Sequence, residues 1–278
     1  MLETASLTFR YPHAPRPALD GLSLALAPGT VTWLAGAPGA GTSTLLLVAA
    51  GLAPLHTGGE VSGTCRLLGE DTQAPAGRAA VAGRVAYVSA DPASQLSGIA
   101  DTVEDEVSFA PANLGWARAR IHAAAAAAME DLGIAALSGR HPASLSGGEQ
   151  QRVVLASMRA LQPDAWLLDE PGSALDAQGR GVLAGLLASE ARRGALVVVA
   201  SEDADWMAGF ADRLVILANG RVVRDGPPPE LLADPTLPET GVGSTGAATF
   251  AAALADRDPG FAGGRLPITV SEALARWA

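Results

Sequence analysis

Apolar positions at the amino end of the chain alternate with small or polar ones. Residues 2–11 show this alternation weakly, whereas Leu22, Leu24 and Leu26 show it cleanly before a Pro-Gly turn. Alternation with a period of two is typical of a strand that has one face on a core, and Pro-Gly is a strong turn signal. The amino end is therefore predicted to form an antiparallel sheet.

Further along the chain the apolar residues form short continuous runs, which predict a second group of strands. These strands cover residues 31–35, 84–88, 166–168 and 196–200. An alanine-rich stretch from 116 to 132 predicts a helix that stops at Gly133. Residues 213–223 predict a hairpin around Asn219-Gly220. Strands interleaved with helices predict an α/β fold.

A glycine-rich loop lies between the predicted strand 31–35 and an apolar helical pattern at 45–50. This order is the context of a phosphate-binding loop of the form G-x-x-x-x-G-K-[ST]. The glycines allow the backbone to approach a phosphate closely, and the hydroxyl at the Ser43 position would ligate Mg²⁺. The nucleotide-binding candidates are Gly36, Ala37, Pro38, Gly39, Ala40, Gly41, Thr42, Ser43 and Thr44.

Thr42 occupies the lysine position of this loop, and no arginine in the loop replaces the missing charge. Losing a charge-assisted contact to the β- and γ-phosphates costs about 1.5–3 kcal/mol in binding. The rate falls by about a hundredfold or more if that contact strengthens in the transition state. All 19 basic residues of the chain are arginine. Avoidance of lysine is thus a milder explanation, although arginine would then be the expected replacement.

The stretch LSGGEQQR, which begins at Leu145, predicts a second phosphate-binding feature. Ser146 and Glu149 have the spacing of an N-terminal capping box. The two glycines between them leave the amides of the first helical turn uncovered, and bare amides at a helix N-terminus bind anions. Shortly afterwards an apolar strand ends in the carboxylates Asp169 and Glu170.

Together these segments resemble the ATP-binding cassette (ABC) ATPases, whose signature sequence is LSGGQ or LSGGE. The resemblance covers roughly residues 1–235. It implies an ABC-type P-loop ATPase with a RecA-like core, an amino-terminal antiparallel β subdomain and a helical signature subdomain at about residues 91–162. The predicted domains are an ATPase domain over 1–226 and a linker with a carboxyl-terminal helical extension over 227–278. ATP and Mg²⁺ are the implied cofactors.

The resemblance also implies a role for each candidate residue. Asp169 would hold Mg²⁺ through water, beside Ser43, and Glu170 would be the general base that polarises the attacking water. Tyr11 would stack on adenine; the alternative is a tyrosine that only ends its strand. The surface given to a second subunit would comprise the signature residues Leu145, Ser146, Gly147, Gly148 and Glu149 and, in the dimer-contact loop, Asp176.

Three positions depart from the family pattern. Where relatives carry a lysine, a glutamine and a histidine, this chain has Thr42, Ala90 and Glu202. Gln95 is not expected to replace the missing glutamine, and the Glu202 carboxylate would repel a γ-phosphate unless it is protonated. All three losses fall on the chain's own nucleotide site, whereas the donated surface is complete.

This one-sided pattern favours an asymmetric heterodimer in which the chain completes the site of a partner ATPase. ATP hydrolysis by the pair would drive uptake of a vitamin or a transition-metal ion. The alternatives are a non-catalytic regulatory or scaffold subunit, a slow homodimeric ATPase, and an ABC ATPase of DNA repair. The retained Glu170 speaks against the first alternative. The roughly 100 residues between Thr44 and Leu145 leave no room for the long insertion of the last.

Residues 101–115, DTVEDEVSFAPANLG, resemble the corresponding region of energy-coupling-factor importers and of cobalt and nickel importers. In those importers an acidic groove receives arginine-bearing coupling helices of an integral membrane subunit. The alternative is a solvated helix start, where acidic residues are also favoured. The acids of the predicted groove are Asp101, Glu104, Asp105 and Glu106.

Composition limits the partners and the compartment. The net charge of −10 makes the chain a poor candidate for binding nucleic acid, which requires a basic face. Cys65 is the only cysteine, so a reducing compartment is expected. The start of the sequence lacks a signal-peptide pattern, and no apolar run approaches the roughly 18 residues of a membrane span. The expected location is the cytoplasmic face of the membrane, reached through membrane subunits.

Prolines at 227–229 mark a boundary, and residues 236–246 have the composition of a linker. Residues 269–272 predict a second capping box, at the start of a helix with Leu274 and Trp277 on one face. This terminal helix is predicted either to dock on its own domain or, as in the importer relatives, to help pair two ATPases.

Overall fold

The computed structural model describes residues 1–257 and 266–277. In this part of the chain the strands are β1 (Leu2–Arg10), β2 (Leu19–Leu26), β3 (Val31–Gly36), β4 (Glu60–Leu67), β5 (Glu70–Asp71), β6 (Val85–Val88), β7 (Ala165–Asp169), β8 (Leu196–Ala200), β9 (Arg213–Ala218) and β10 (Arg221–Gly226). The helices are α1 (Thr42–Ala49), α2 (Pro75–Val81), α3 (Val103–Asn113), α4 (Arg118–Asp131), α5 (Gly147–Ala160), α6 (Ala177–Arg192), α7 (Ala204–Met207), α8 (Pro228–Leu231), α9 (Gly246–Arg257) and α10 (Val270–Trp277).

The first sheet is antiparallel and has the strand order β2-β1-β4-β5, as the alternation at the amino end predicts. Leu22, Leu24 and Leu26 of β2 are buried, and the residues between them are exposed. Strand β1 pairs with β2 on one side, where Leu2 lies opposite Leu26, and with β4 on the other, where it lies opposite Leu67. The buried leucines therefore share one face of the sheet.

The second sheet has the order β10-β9-β3-β8-β7-β6 and is parallel apart from the β9–β10 hairpin. Strands β7 and β8 are buried along their whole length, as their continuous apolar runs predict. Because parallel strands end at the same edge of a sheet, the loops after β3, β7 and β8 meet there. That edge carries the phosphate-binding loop, Asp169 and residues 201–203.

Apolar side chains form two clusters, one on each face of the second sheet. Neighbouring residues of a strand point to opposite faces, and Trp33 belongs to one cluster whereas Leu34 belongs to the other. The Leu34 cluster contains buried residues of α1 and of the first sheet, and the Trp33 cluster contains buried residues of α5 and α6. The two layers fix the phosphate-binding loop relative to the signature helix.

Helices α3, α4 and α5 pack against one another beyond β6, within the range predicted for the helical subdomain. Helix α4 ends one residue before Leu132, and Gly133 follows it with a φ of 65°, which matches the predicted glycine stop. The hairpin at Asn219-Gly220 is also confirmed, with φ values of 51° and 74°. Helix α2, which begins at Pro75, has no counterpart among the predicted elements.

The chain after β10 returns to the core. Leu237 and Val242 lie in the Trp33 cluster, and Thr245 is fully buried and accepts from the N–H of Ala248 near the start of α9. At the start of α10, Thr269 Oγ1 accepts from Glu272 N at 3.1 Å and Glu272 Oε2 accepts from Ile268 N at 2.7 Å. The side chain of Trp277 lies outside the described part. No helix of residues 1–257 and 266–277 is long and apolar enough to cross a bilayer.

Candidate functional site

The predicted phosphate-binding loop joins β3 to α1 and is tightly folded. A Cβ on Gly36 would lie 2.5 Å from Ala40 Cβ and 2.7 Å from the carbonyl oxygen of Leu217. A Cβ on Gly41, which has a φ of 108°, would lie 2.5 Å from the carbonyl oxygen of Ala18. Gly220 in the β9–β10 turn donates to the carbonyl of Ala40 at 2.9 Å. Gly36 and Gly41 are therefore required by close approaches of other parts of the chain, and the approach of a phosphate to this backbone stays a prediction.

Helix α1 begins directly at the loop without a side-chain cap. Its N-cap is Gly41, and its first turn contains no acidic residue. The amides of a first helical turn have no partner within the helix, and together with the helix dipole they form an anion site. The local backbone therefore fits a phosphate even though Thr42 supplies no charge.

The two predicted magnesium ligands lie next to each other. Ser43 Oγ donates to Asp169 Oδ1 at 3.0 Å, although Ser43 lies in the first turn of α1 and Asp169 ends β7. Burial raises the pKa of the Asp169 carboxyl, and the hydrogen bond from Ser43 opposes that rise. A hydroxyl and a carboxylate oxygen are hard donors of the type that Mg²⁺ prefers. The residues present therefore fit Mg²⁺, which would supply charge neutralisation to a bound phosphate.

Glu170 is held by the segment after β8. Its Oε1 accepts from the backbone N–H of Glu202 at 2.6 Å, and its Oε2 accepts from Ser201 Oγ at 3.2 Å. Burial raises the pKa of Glu170, the two hydrogen bonds oppose this, and the nearby charges of Glu202 and Asp169 add to the rise. A carboxyl with a raised pKa is a better proton acceptor once it is ionised. Both of its oxygens, however, already have donors from the chain.

Tyr11 reaches the same region from the end of β1. Its hydroxyl lies 3.2 Å from Thr44 Oγ1 in α1, and its ring meets Phe9 edge to face at 4.9 Å. Tyr11 is therefore placed beside the phosphate-binding helix, on a partly exposed surface. Stacking of this ring on adenine stays a prediction.

The three altered positions surround this site without replacing the lost groups. Ala90 is exposed after β6, and the side chain of Gln95 forms hydrogen bonds with the backbone directly before Ala90. Gln95 Oε1 accepts from Ser89 N at 2.7 Å, and Gln95 Nε2 donates to the carbonyl of Tyr87 at 3.0 Å. The Glu202 side chain is exposed, while its backbone N–H holds Glu170.

The signature forms the N-terminus of α5, and its capping box is present as predicted. Ser146 Oγ accepts from Glu149 N at 3.4 Å, and Glu149 Oε2 accepts from Ser146 N at 2.8 Å. A Cβ on Gly148 would lie 2.8 Å from the carbonyl oxygen of Ala174, whereas one on Gly147 would meet nothing within 4 Å. Signature and dimer-contact loop are thus packed against each other, and Gly147 stays open to the outside.

Asp176 has a definite task within the chain. Its Oδ1 accepts from Gly179 N at 2.7 Å, so the side chain caps helix α6. Ser173 of the same loop donates to the carbonyl of Glu170 at 2.9 Å. The dimer-contact loop therefore links the signature helix to the segment that carries the predicted general base.

One predicted docking acid is not on the surface. Glu106 is 5% exposed and accepts from the backbone N–H of Ser97 at 2.8 Å and from its hydroxyl at 2.6 Å. Its carboxylate therefore ties the preceding loop to α3 and is unavailable to a partner. Asp101 and Asp105 are exposed, and Glu104 lies 3.2 Å from His122. Exposed apolar side chains around these acids went unpredicted: Ile99, Phe109 and Leu114.

Two connections near the site were also missed from the sequence. Arg180 of α6 donates to the carbonyl of Gly172 at 3.0 Å and forms an ion pair with Asp203, so it joins the segments after β7 and β8. Gly241 and Val242 line a cavity of about 180 Å³ together with Pro38 of the phosphate-binding loop. No sequence motif predicts either connection, because each one joins residues that are distant in sequence.

Comparison with known proteins agrees with this geometry. A sequence model of the family described as ABC transporter matches residues 19–173. The nickel import ATP-binding protein NikO of Rhodobacter capsulatus is 41% identical over 225 residues, which are 78% of this chain and 86% of that protein. The energy-coupling factor transporter ATP-binding protein EcfA2 of Methanospirillum hungatei is 32% identical over 85% of this chain and 58% of that protein.

Solved structures show the same fold. CbiO1 from Clostridium perfringens, part of the ABC transporter complex CbiONQ, is 25% identical and superimposes with a TM-score of 0.74. That match covers 93% of this chain and 95% of CbiO1. A dimeric ATP-binding cassette with bound ADP and Pi is 22% identical and has a TM-score of 0.70, over 82% of this chain and 98% of that one. The second likeness bears on the fold alone.

Proposed function

Because this chain belongs to the ABC transporter family of ATP-binding proteins, we propose that it is the ATP-binding subunit of an importer and works as the signature-donating half of an asymmetric ATPase pair. The observation that carries the proposal is the contrast between its two functional surfaces. The donated surface has an intact capping box at Ser146 and a capped dimer-contact loop at Asp176. The chain's own site has lost three groups that would act on a γ-phosphate or on water.

The chain's own site binds ATP weakly and hydrolyses it slowly in this proposal. The loop backbone and the Ser43–Asp169 pair remain suited to phosphate and Mg²⁺. Glu170 is the proton acceptor, and the backbone N–H of Glu202 and the hydroxyl of Ser201 orient it. Thr42 supplies no positive charge to the β- and γ-phosphates, which weakens both binding and the transition state.

The partner's site would be completed by this chain. Bare amides at the start of α5 and the Ser146 hydroxyl would contact the γ-phosphate of a nucleotide bound to the second ATPase. Gly147 supports this because its outer side is open, so that another molecule can approach the backbone closely. Leu145, Gly148 and Glu149 hold that helix start in place.

An integral membrane subunit would dock on the helical subdomain. Asp101, Glu104 and Asp105 supply negative charge there, and exposed Ile99 and Phe109 supply apolar contact area. A mixed apolar and acidic surface suits a basic amphipathic helix. Such docking would place the chain at the cytoplasmic face of the membrane. Nucleic acid is not an expected partner, given the net charge of −10.

The transported substrate is proposed as a vitamin or a transition-metal ion. The name of NikO, a nickel import ATP-binding protein, supports the metal ion, and the vitamin rests on the resemblance to energy-coupling-factor importers, of which EcfA2 is an ATP-binding protein. A non-catalytic regulatory or scaffold subunit is the second candidate, favoured by the engagement of both Glu170 oxygens within the chain. In that case the chain's own site would bind ATP without hydrolysing it.

The decisive experiment measures ATP hydrolysis by the purified chain, alone and mixed with its partner ATPase. Ser146→Arg places a charged side chain at the donated surface, and Glu170→Gln removes the base of the chain's own site. We expect hydrolysis only with the partner, a loss of about a hundredfold or more with Ser146→Arg, and most of the activity retained with Glu170→Gln. Turnover by the chain alone that Glu170→Gln abolishes would contradict the asymmetric assignment.

A further inference from the structure

The surface offered to the partner carries a negative charge where a phosphate would arrive. The Glu149 carboxylate turns back over the N-terminus of α5. Its Oε2 accepts from the backbone N–H of Ser146 at 2.8 Å and from the Ser146 hydroxyl at 2.8 Å. Its Oε1 lies 3.6 Å from Arg140. The donors of Ser146 are thus occupied from within the chain.

A serine hydroxyl has one proton and donates one hydrogen bond at a time. In this structure the proton goes to Glu149, while the hydroxyl oxygen accepts from Glu149 N at 3.4 Å. A γ-phosphate that approaches the signature needs the same proton. The two acceptors are therefore alternatives, and one must leave before the other can bind.

Charge adds to this competition. Hydrogen bonds from Ser146 and the neighbouring charges of Arg140 and Arg152 hold the pKa of Glu149 below its ordinary value of 4.5. Glu149 is therefore ionised at neutral pH, and it would face a nucleotide phosphate of the same sign. Arg140 lies 3.6 Å from Oε1, whereas Ser146 bonds the other carboxylate oxygen, Oε2.

We propose that Glu149 sets the ATP affinity of the composite site, because its carboxylate competes with the γ-phosphate of the partner's nucleotide for the Ser146 hydroxyl. Arg140 moderates this competition, because its attraction draws the carboxylate aside. A nucleotide without a γ-phosphate leaves the Glu149–Ser146 contact in place, so the competition weakens the binding of ATP and does not change the binding of ADP. The inference rests on the proposed function, since it requires a signature that faces a partner's nucleotide.

The test uses the assembled pair of ATPases and the variant Glu149→Gln, which keeps the length of the side chain and removes its charge. The KM for ATP should fall by about two- to fivefold, which is the usual size of the effect of a surface charge. The change in kcat should be smaller than the change in KM. The effect should shrink at high ionic strength, because salt screens exposed charges. Arg140→Gln should raise the KM by a similar factor.

Glu130→Gln is the matched control, since it makes the same charge change at an exposed position of α4 in the same helical subdomain. Its KM should equal that of the unaltered chain, and an equal fall in both variants would overturn the local competition. A KM that stays the same or rises with Glu149→Gln would also overturn it. If Ser146→Arg leaves hydrolysis intact, the proposed function fails together with this inference. If Ser146→Arg abolishes hydrolysis and Glu149→Gln does not lower the KM, this inference alone fails.

Discussion

The chain's own predicted nucleotide site and the surface that we propose it offers to a partner differ in which parts are intact. In the own site the backbone geometry survives, as do the buried carboxylate Asp169 and its neighbour Ser43, 3.0 Å apart. The missing groups are side chains at Thr42, Ala90 and Glu202. On the donated surface both the backbone and the side chains are intact, with Ser146 and Asp176 each capping a helix.

The comparison shows that several residues of the family pattern that this chain retains also have a structural role in the fold. Gly36 and Gly41 admit close approaches of other backbone, and Asp176 caps α6. Glu170 orders the segment after β8 through Glu202 and Ser201. These residues can therefore be retained even if catalysis is lost. Variants that change the structural and the functional role separately are needed to show which of the two surfaces is active.

The largest expected effect is tighter ATP binding at the chain's own site. Thr42→Lys restores a charge at the phosphate-binding loop and should tighten ATP binding by about tenfold to a hundredfold, the usual worth of a charge-assisted hydrogen bond. Titration of the isolated chain with a fluorescent ATP analogue measures this. Ala90→Gln restores an uncharged group and serves as the control, with a change of less than about tenfold. Equal affinities for the Thr42→Lys and unaltered chains would show that a missing charge is not the defect of this site.

The next largest expected effect is the loss of stability when a methyl group is added to a glycine of the signature. Gly148→Ala would place its Cβ 2.8 Å from the Ala174 carbonyl oxygen, and overpacking of this kind lowers the free energy of unfolding by about 1–3 kcal/mol. Gly147→Ala is the matched control, because its Cβ has open space and should change stability by less than about 0.5 kcal/mol. Urea denaturation of both variants checks this. Equal stabilities would show that the close approach to Ala174 does not restrict residue 148 to glycine.

Local patterns predicted most of the fold and the centre of the site. The phosphate-binding loop, the capping box of Ser146 and the Asp169-Glu170 strand end are each set by a few neighbouring residues, so their structure is readable from sequence. Glu106 was wrongly predicted to face a partner, although the sequence contained a signal that it is buried. It lies three residues after buried Val103 and directly before buried Val107, and helical spacing puts it on their face.

The connections that the sequence did not predict are contacts between distant segments. Arg180 reaches Asp203 across a separation of 23 residues, and Gly246 N donates to Asp205 at 2.9 Å across 41. Such contacts depend on how whole layers pack, and a single arginine or aspartate in a loop carries no pattern that identifies its partner. The return of residues 241–243 to the phosphate-binding loop is of the same kind.

The smallest expected effect concerns the proton equilibrium of Glu170. Its pKa is raised above the ordinary value of 4.5, chiefly by burial, so the folded chain binds a proton more tightly than the unfolded chain. Its contribution to stability is therefore greatest below that ordinary value and is lost as the pH rises through the raised pKa. Glu170→Gln, which carries no charge, should raise the melting temperature at about pH 7 and lose this advantage towards about pH 4. Glu149→Gln should show no such gain at neutral pH, because the pKa of Glu149 is lowered instead. A melting temperature that falls at neutral pH with Glu170→Gln would mean that the bonds from Glu202 and Ser201 outweigh the cost of burying the charge, and that the own site is arranged to keep its base ionised.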